Sequence, residues 1–449
     1  MSDVEAPRRP NTPGARYERS LALLDRATAA VPSQTQTFSK GWTQFPRGVS
    51  PVFAVRADGG HVWDADGNRF IDWPMALGPL LLGHNHPSVN AALKAQLDDG
   101  IAFSLPTQGE LELAERLIDW FAYAERVRFG KNGSDATTAA IRLARAHTGR
   151  DKVAVCGYHG WHDWYIATTA RDLGVPRAVR DLSVSFAFND AEALAALLAA
   201  EPGAFAAVIL EPAGLDDPAA GFLEAVRALC DRFGVVLVFD EIVTGYRLAL
   251  GGAQAHYGVT PDLASFGKAL GNGMPISAIV GRRDIMRRME DIFFSGTFGG
   301  ETLSIAAALA TLAVLEAEDA PARFARCGVR LREGARTIFA DAGLDTAFTI
   351  KGPDWWPAIL PRADAGTDPN LAASLLKQEL VARGVLMGPT FNLCLAHDDE
   401  SVIDETLIAV AGAAAAVAEA LAGDDPARAL RGKAMQPVFR VRPQTGAAR

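Results

Sequence analysis

Between about Leu81 and Glu318 the chain alternates short, nearly continuous apolar runs with longer segments of helical periodicity. The helical segments are Pro87 to Asp99, Gly109 to Ala122, one opening at Ser134, and Leu223 to Phe233. The strand-like runs are Val127 to Gly130, Val153 to Gly157, Phe205 to Glu211, Val235 to Asp240, Leu263 to Phe266 and Ile276 to Gly281. A strand that is apolar at nearly every position has both faces out of water, which calls for helices above and below a mostly parallel sheet. The fold class is therefore α/β. In such a sheet, ligands bind where loops leave the carboxyl ends of the strands.

Around this large domain, placed at 81–320, the pattern changes. Residues 1–15 are polar and Pro-rich and read as a disordered N-terminus, and 424–449 as a tail. Within 16–80, Tyr17 to Val31 has the spacing of an amphipathic helix, and Phe53 to Trp73 alternates around Asp58-Gly-Gly and Asp66-Gly-Asn, as short antiparallel strands do. Residues 321–423 follow an Ala-rich helix near Leu303 to Glu318 and form a C-terminal α+β segment.

With 449 residues and 49% hydrophobic content, large cores are available. The balance of 44 Lys and Arg against 53 Asp and Glu gives a net charge of −9, so no basic field draws the chain to nucleic acid or to an anionic membrane. Small molecules and other protein chains are the expected partners. Cys156, Cys230, Cys327 and Cys394 are scattered without CxxC spacing, which suits buried thiols and suggests no metal. The first fifteen residues lack an apolar segment, and no later stretch holds 18 uninterrupted apolar residues, so a soluble, cytoplasmic protein is expected.

Chemistry concentrates at strand ends. Asp240 closes Val235-Val-Leu-Val-Phe-Asp240, and Lys268 follows it by 28 positions (268 − 240) in Ser265-Phe-Gly-Lys268. A lysine leaving a strand beside glycine is open to a bound aldehyde, and desolvation favours its neutral, nucleophilic form. The pair suits a pyridoxal phosphate site, one residue as the Schiff-base amine and the other as partner of the pyridinium nitrogen. Taken singly, Lys268 also reads as a surface lysine, and Asp240 beside Glu241 as a metal ligand or a helix cap. Lys131-Asn-Gly133-Ser134-Asp135 opens a helix, and Gly133 and Ser134 offer N–H groups and a hydroxyl to a phosphate. Ser134 as an ordinary N-cap is the alternative. Gly157-Tyr158-His159-Gly160-Trp161 is an aromatic loop suited to stacking on a planar ring, or simply to packing.

Together these segments resemble a known family. Asn132-Gly-Ser-Asp-Ala, Gly157-Tyr-His-Gly, Phe239-Asp-Glu-Ile-Val-Thr-Gly245, Asp262-Leu-Ala-Ser-Phe-Gly-Lys268 and Ser295-Gly-Thr-Phe-Gly-Gly-Glu-Thr follow the order of class III pyridoxal phosphate aminotransferases, with the closest likeness to the glutamate-1-semialdehyde 2,1-aminomutase-like branch. The likeness runs from about Val31 to Leu421. It implies a fold type I PLP-dependent transferase, with a mostly parallel, seven-stranded-type sheet in the large domain and a small α+β domain from both chain ends. It further implies a Schiff base on Lys268, Asp240 at the ring nitrogen, Ile242 against one ring face, and Tyr158 stacked on the other. Gly133 and Ser134 bind phosphate by the same likeness, and Glu211 matches a strand-end glutamate. Thr297 matches a threonine that reaches the neighbouring subunit's cofactor, implying a homodimer.

Departures from the branch fall on the substrate side. Its Ser-Pro-Val-Arg segment aligns with Thr37-Phe38-Ser39-Lys40, replacing a bidentate fork with a point charge. An asparagine expected after Glu211-Pro212 is Ala213, and a late glutamate is missing where Pro389-Thr-Phe-Asn392 stands. Lys40 and Asn392 are accordingly the substrate-side candidates. The expectation is a transaminase acting on amine and carbonyl substrates, with a sugar or secondary-metabolite precursor suggested by analogy, and an intramolecular aminomutase as the alternative.

Overall fold

The computed structural model describes residues 15–364 and 366–436; the expected disordered N-terminus falls almost wholly outside them, as does the end of the tail. Among the described residues the chain forms two compact units. One is contiguous, Gly78–Arg326, and the other joins the chain up to Leu77 with the chain from Cys327 onward.

The contiguous unit holds a seven-stranded sheet in the spatial order Arg126–Gly130, Ser277–Gly281, Leu263–Phe266, Val236–Asp240, Phe205–Leu210, Lys152–Cys156 and Ser183–Ser185. Ser277–Gly281 runs antiparallel to both its neighbours, and the pairings from Leu263–Phe266 to Ser183–Ser185 are parallel. Every residue of Phe205–Leu210, Val236–Asp240, Leu263–Phe266 and Ser277–Gly281 is buried, which accounts for their unbroken apolar character. The helix Gly133–Thr148 lays Ala136, Ala140, Ile141 and Ala144 into a core shared with Val153, Val155, Ile209 and Val238. Its alanines let helix and sheet approach closely. Among the elements with weak signals that went unread in the sequence are the three-residue edge strand Ser183–Ser185 and the Ala-rich helix Ala191–Ala200, whose apolar residues surround it on all sides.

In the other unit, Ala54–Asp58, His61–Asp64 and Arg69–Asp72 form an antiparallel meander, and Val385–Leu386 adds to it in parallel beside Arg69–Asp72. The tight turn at Asp64–Asn68 is fixed by the Asp64 carboxylate, which accepts the N–H groups of Asp66 (3.0 Å) and Asn68 (2.7 Å). Asp66 then accepts the N–H groups of Arg19 and Ser20, satisfying free donors at the start of the helix Glu18–Ala30. A hairpin, Phe348–Lys351 with Ala358–Pro361, and the helices Pro369–Ala382 and Glu400–Ala422 complete this unit. Glu400–Ala422 is long and apolar enough to cross a membrane, but Val402, Ile403, Val410, Ala413 and Val417 are buried in the unit, as in a core helix. Residues 424–436, placed in the tail by sequence, form a 3-10 turn at Pro426–Ala429 and a bridge from Lys433 to Arg47.

Candidate active site

At the carboxyl ends of the parallel strands of the contiguous unit, Asp240 is 2% exposed. Its Oδ1 accepts the Ile242 N–H at 3.1 Å, and its Oδ2 lies 2.8 Å from His159 Nδ1. The His159 ring stacks on Trp164 and meets Tyr165 edge-on, so its position is set by packing, while its buried Nε2 has no hydrogen-bond partner. Glu241 faces elsewhere: it accepts the Thr244 hydroxyl (2.6 Å) and the N–H of Ala253 (2.7 Å) in the first turn of the helix Gly252–Tyr257, so of the two acids Glu241 is the one that caps a helix. Burial pushes its carboxyl up to about 7.

On the neighbouring strand, Glu211 follows Leu210 and accepts the Tyr158 N–H at 2.8 Å. Burial, then the nearby Asp240 charge, raises the pKa of Glu211. This contact requires glycine at 157, where φ is +108° and a Cβ would come within 2.5 Å of Glu211 Oε2. Tyr158 itself is 47% exposed.

Lys268 follows Leu263–Phe266 with a left-handed φ of +31°, uncommon for a residue with a Cβ. Its amine makes no hydrogen bond among the described residues. Burial first, then the Arg247 charge, lowers its pKa to about 8 against the opposing pull of Glu211 and Asp240. Arg247 is 4% exposed and donates to the carbonyls of Val243 (2.5 Å) and Gly78. Asn272 clamps the preceding Leu82-Gly83 segment through the Leu82 N–H (3.0 Å) and the Gly83 carbonyl (3.1 Å).

The helix that begins at Gly133 is capped by Asn132, with Asp135 Oδ2 accepting the Asn132 N–H at 2.7 Å. Asn132, rather than Ser134, is therefore the N-cap. Gly133 and Ser134 occupy the first helical positions, where N–H groups lack intrahelical acceptors and the helix dipole favours an anion. Ser134 Oγ accepts the Trp161 N–H at 3.3 Å, and the close pass of the aromatic loop over it needs Gly160, whose φ is +103° and whose added Cβ would lie 2.2 Å from that oxygen. Ile242 packs against both glycines that flank the site: Cβ atoms built on Gly133 and Gly267 would lie 3.1 and 2.9 Å from its Cδ1.

Asp240, Glu211, Tyr158, Lys268, Gly133, Ser134 and Ile242 thus share one strand-end region. Thr297 is exposed on the turn after Phe294. Lys40 and Asn392 belong to the other unit. There the Asn392 amide is committed to the protein, accepting from Trp356 Nε1 (2.7 Å) and donating to the Pro74 carbonyl (2.8 Å). His159 and Arg247 were not singled out in the sequence. His159 stood inside the quoted aromatic loop, and Arg247 was signalled only by its charge within the apolar run Tyr246-Arg-Leu-Ala-Leu.

The model of the family "Aminotransferase class-III" matches residues 44–342. The chain is a class III aminotransferase. The 3-aminobutyryl-CoA aminotransferase of Cloacimonas acidaminovorans (strain Evry) is 35% identical to it over 395 residues, covering 86% of this chain and 94% of that protein. The glutamate-1-semialdehyde 2,1-aminomutase of Halorubrum lacusprofundi is 37% identical over 371 residues, 79% of this chain and 82% of that one. Among solved structures, the PLP internal aldimine form of the FumI protein of Sphingopyxis sp. MTA144 superposes with a TM-score of 0.83 at 31% identity, over 92% of this chain and all of that one.

The cofactor of this aminotransferase is pyridoxal phosphate, and its residues fit that group. The fit rests on free N–H groups at the start of a helix for the phosphate, a partnerless amine with a pKa of about 8 for the aldehyde, and a buried carboxylate for the ring nitrogen.

Proposed function

We propose that this aminotransferase uses Lys268 and Asp240 as its chemical pair, on small-molecule amine and carbonyl substrates. When bound, pyridoxal phosphate supplies an aldehyde that captures amines and a ring that accepts electrons. Lys268 Nζ would hold the cofactor covalently through the aldehyde and, once displaced by substrate, would be the base that takes the proton from the amine-bearing substrate carbon. Asp240 keeps the ring nitrogen protonated and is itself oriented by His159 and the Ile242 N–H. Gly133 and Ser134 hold the phosphate, and Ile242 and Tyr158 bound the ring. Glu211 fixes the Tyr158 backbone. The observation that carries this reading is the lysine amine without a hydrogen-bond partner, at the strand end next to the buried Asp240.

The 35% identical relative, named an aminotransferase, supports transfer between two molecules; the 37% identical aminomutase supports rearrangement within one. Ala213 in place of asparagine favours the first. The loaded protein given an amino donor is expected to release one keto compound or aldehyde per amino group accepted, read by mass spectrometry. Conversion of one substrate to an isomer with no carbonyl product would sink the transaminase reading.

We also infer a homodimer in the cytoplasm. Thr297 lies between Phe293 and Phe298, which are 81% and 60% exposed. Exposed Ile101 and Phe103 adjoin the same region, where Thr302 Oγ1 donates to the carbonyls of Gly100 and Ile101. An apolar patch of this kind suits burial against a second copy. Light scattering is expected to give the mass of two chains, and fractionation of the source cells to recover the protein with the cytosol; a monomer, or recovery elsewhere, would overturn the respective inference.

A further inference from the structure

Lys268 opens a short 3-10 turn, Lys268–Gly271, which closes on Asn272. Both ends of this turn are left-handed, with φ of +31° at Lys268 and +42° at Asn272. Asparagine tolerates that conformation through its short amide, whereas lysine has no local hydrogen bond to offset the crowding of its Cβ. Backbone strain of this kind persists only where the surroundings over-determine it. The turn's own bonds, from the Leu270 N–H to the Gly267 carbonyl (2.8 Å) and from the Asn272 N–H to the Ala269 carbonyl (3.2 Å), are those of any 3-10 turn. They hold the turn together without fixing where it points.

A segment far earlier in the chain supplies the missing constraint. The buried Asn272 side chain spends both ends of its amide on it: Oδ1 accepts the Leu82 N–H at 3.0 Å, and Nδ2 donates to the Gly83 carbonyl at 3.1 Å. Leu80 of the same segment packs on the turn, since a Cβ built on Gly273 would lie 3.1 Å from its Cδ1 partner atom, Cδ2. At the other end of the segment, the Gly78 carbonyl accepts from Arg247, which also donates to the Val243 carbonyl in the loop that follows Asp240. Gly78–Gly83 is thus a brace tied to the loops of both members of the chemical pair. The structure assigns Asn272 as a positioning residue for Lys268: its amide locks the left-handed turn onto the brace and so sets the place of the amine at the strand end. The assignment rests on the reading of Lys268 as the cofactor's anchor and adds to it what holds that amine in register.

The test needs no amino donor. Cofactor-free full-length protein, natural or carrying Asn272→Gly, is mixed with pyridoxal phosphate, quenched with borohydride at intervals and read by mass spectrometry. The step followed is the one in which Lys268 Nζ bonds to the aldehyde carbon and water leaves. Glycine keeps the left-handed backbone and removes only the amide. Pyridoxamine phosphate, which has the same phosphate and ring but no aldehyde, is titrated in parallel by calorimetry. Capture is expected to slow roughly 100-fold, the scale of a reacting group displaced by about 1 Å, while the affinity for pyridoxamine phosphate stays within about twofold. Capture as fast as in the natural protein would overturn the assignment, and so would an equal loss in both measurements, because a merely structural residue disturbs the whole site. Should the glycine variant not fold, Asn272→Ser, whose hydroxyl is too short to span Leu82 and Gly83, is read by the same two measurements. Peptide mapping of the natural adduct keeps the two readings apart. An adduct on another lysine sinks Lys268 as the anchor and this assignment with it; an adduct on Lys268, with capture unaffected by the variant, sinks this assignment alone.

Discussion

Replacing Lys268 with alanine will lower the rate of amino transfer by about 10⁴-fold, the upper end of what one positioned acid–base group contributes, because a single substitution removes both the cofactor's anchor and the proton carrier. Mass spectrometry after borohydride reduction should find no cofactor attached to the variant; a surviving adduct would show that another amine is the anchor. In the cofactor-free natural protein, the rate of capture of added pyridoxal phosphate should rise with pH and level off above about 8, where Lys268 becomes neutral. The sign follows from the environment: burial first, then Arg247, penalise the ammonium form. The same shift touches stability. Between about pH 8 and the ordinary lysine value of 10.5, the unfolded chain holds a proton that the folded chain has released, so this group's contribution to stability rises with pH through that window.

Asp240→Asn should reduce kcat by about 10²–10³-fold, the scale seen when one preorganised electrostatic contact is removed, while leaving the melting temperature nearly unchanged. The amide keeps the shape of the side chain and can still meet His159 and the Ile242 N–H, so the strand end should not rearrange. What it loses is the negative charge, and with it the means of keeping a pyridine nitrogen protonated. A variant within tenfold of the natural kcat would show that the ring nitrogen takes its proton from another group.

The site was legible where chemistry is tied to a short local pattern. Lys268 beside Gly267 and Asp240 at the end of an apolar run each have a bland explanation alone, and it is their occurrence together, with the helix start at Gly133-Ser134, that points to a cofactor. The strands were read directly: Val236–Asp240 and Phe205–Leu210 are apolar throughout because both their faces are covered. Ser183–Ser185 was not, since an edge strand of three residues carries too little burial to leave a periodicity. Arg247 was hidden because its role depends on burial, which turns an ordinary arginine into a cation whose acceptors among the described residues are two carbonyls. Asn392 shows the same dependence on the fold: no local pattern announces that its amide accepts from Trp356 and donates to the Pro74 carbonyl.

The meander sheet has a consequence for how this chain is made. Ile71 pairs with Val385, 314 positions later (385 − 71), so one edge of that sheet stays open until most of the chain has been synthesised. At ordinary rates of translation, that interval is roughly 15 to 60 s, during which Arg69–Asp72 presents unpaired backbone to any other strand. The contiguous unit Gly78–Arg326 emerges complete within the same interval and closes without waiting. A chaperone that shields the nascent chain would therefore have its work at the first strands, long before the last residues appear.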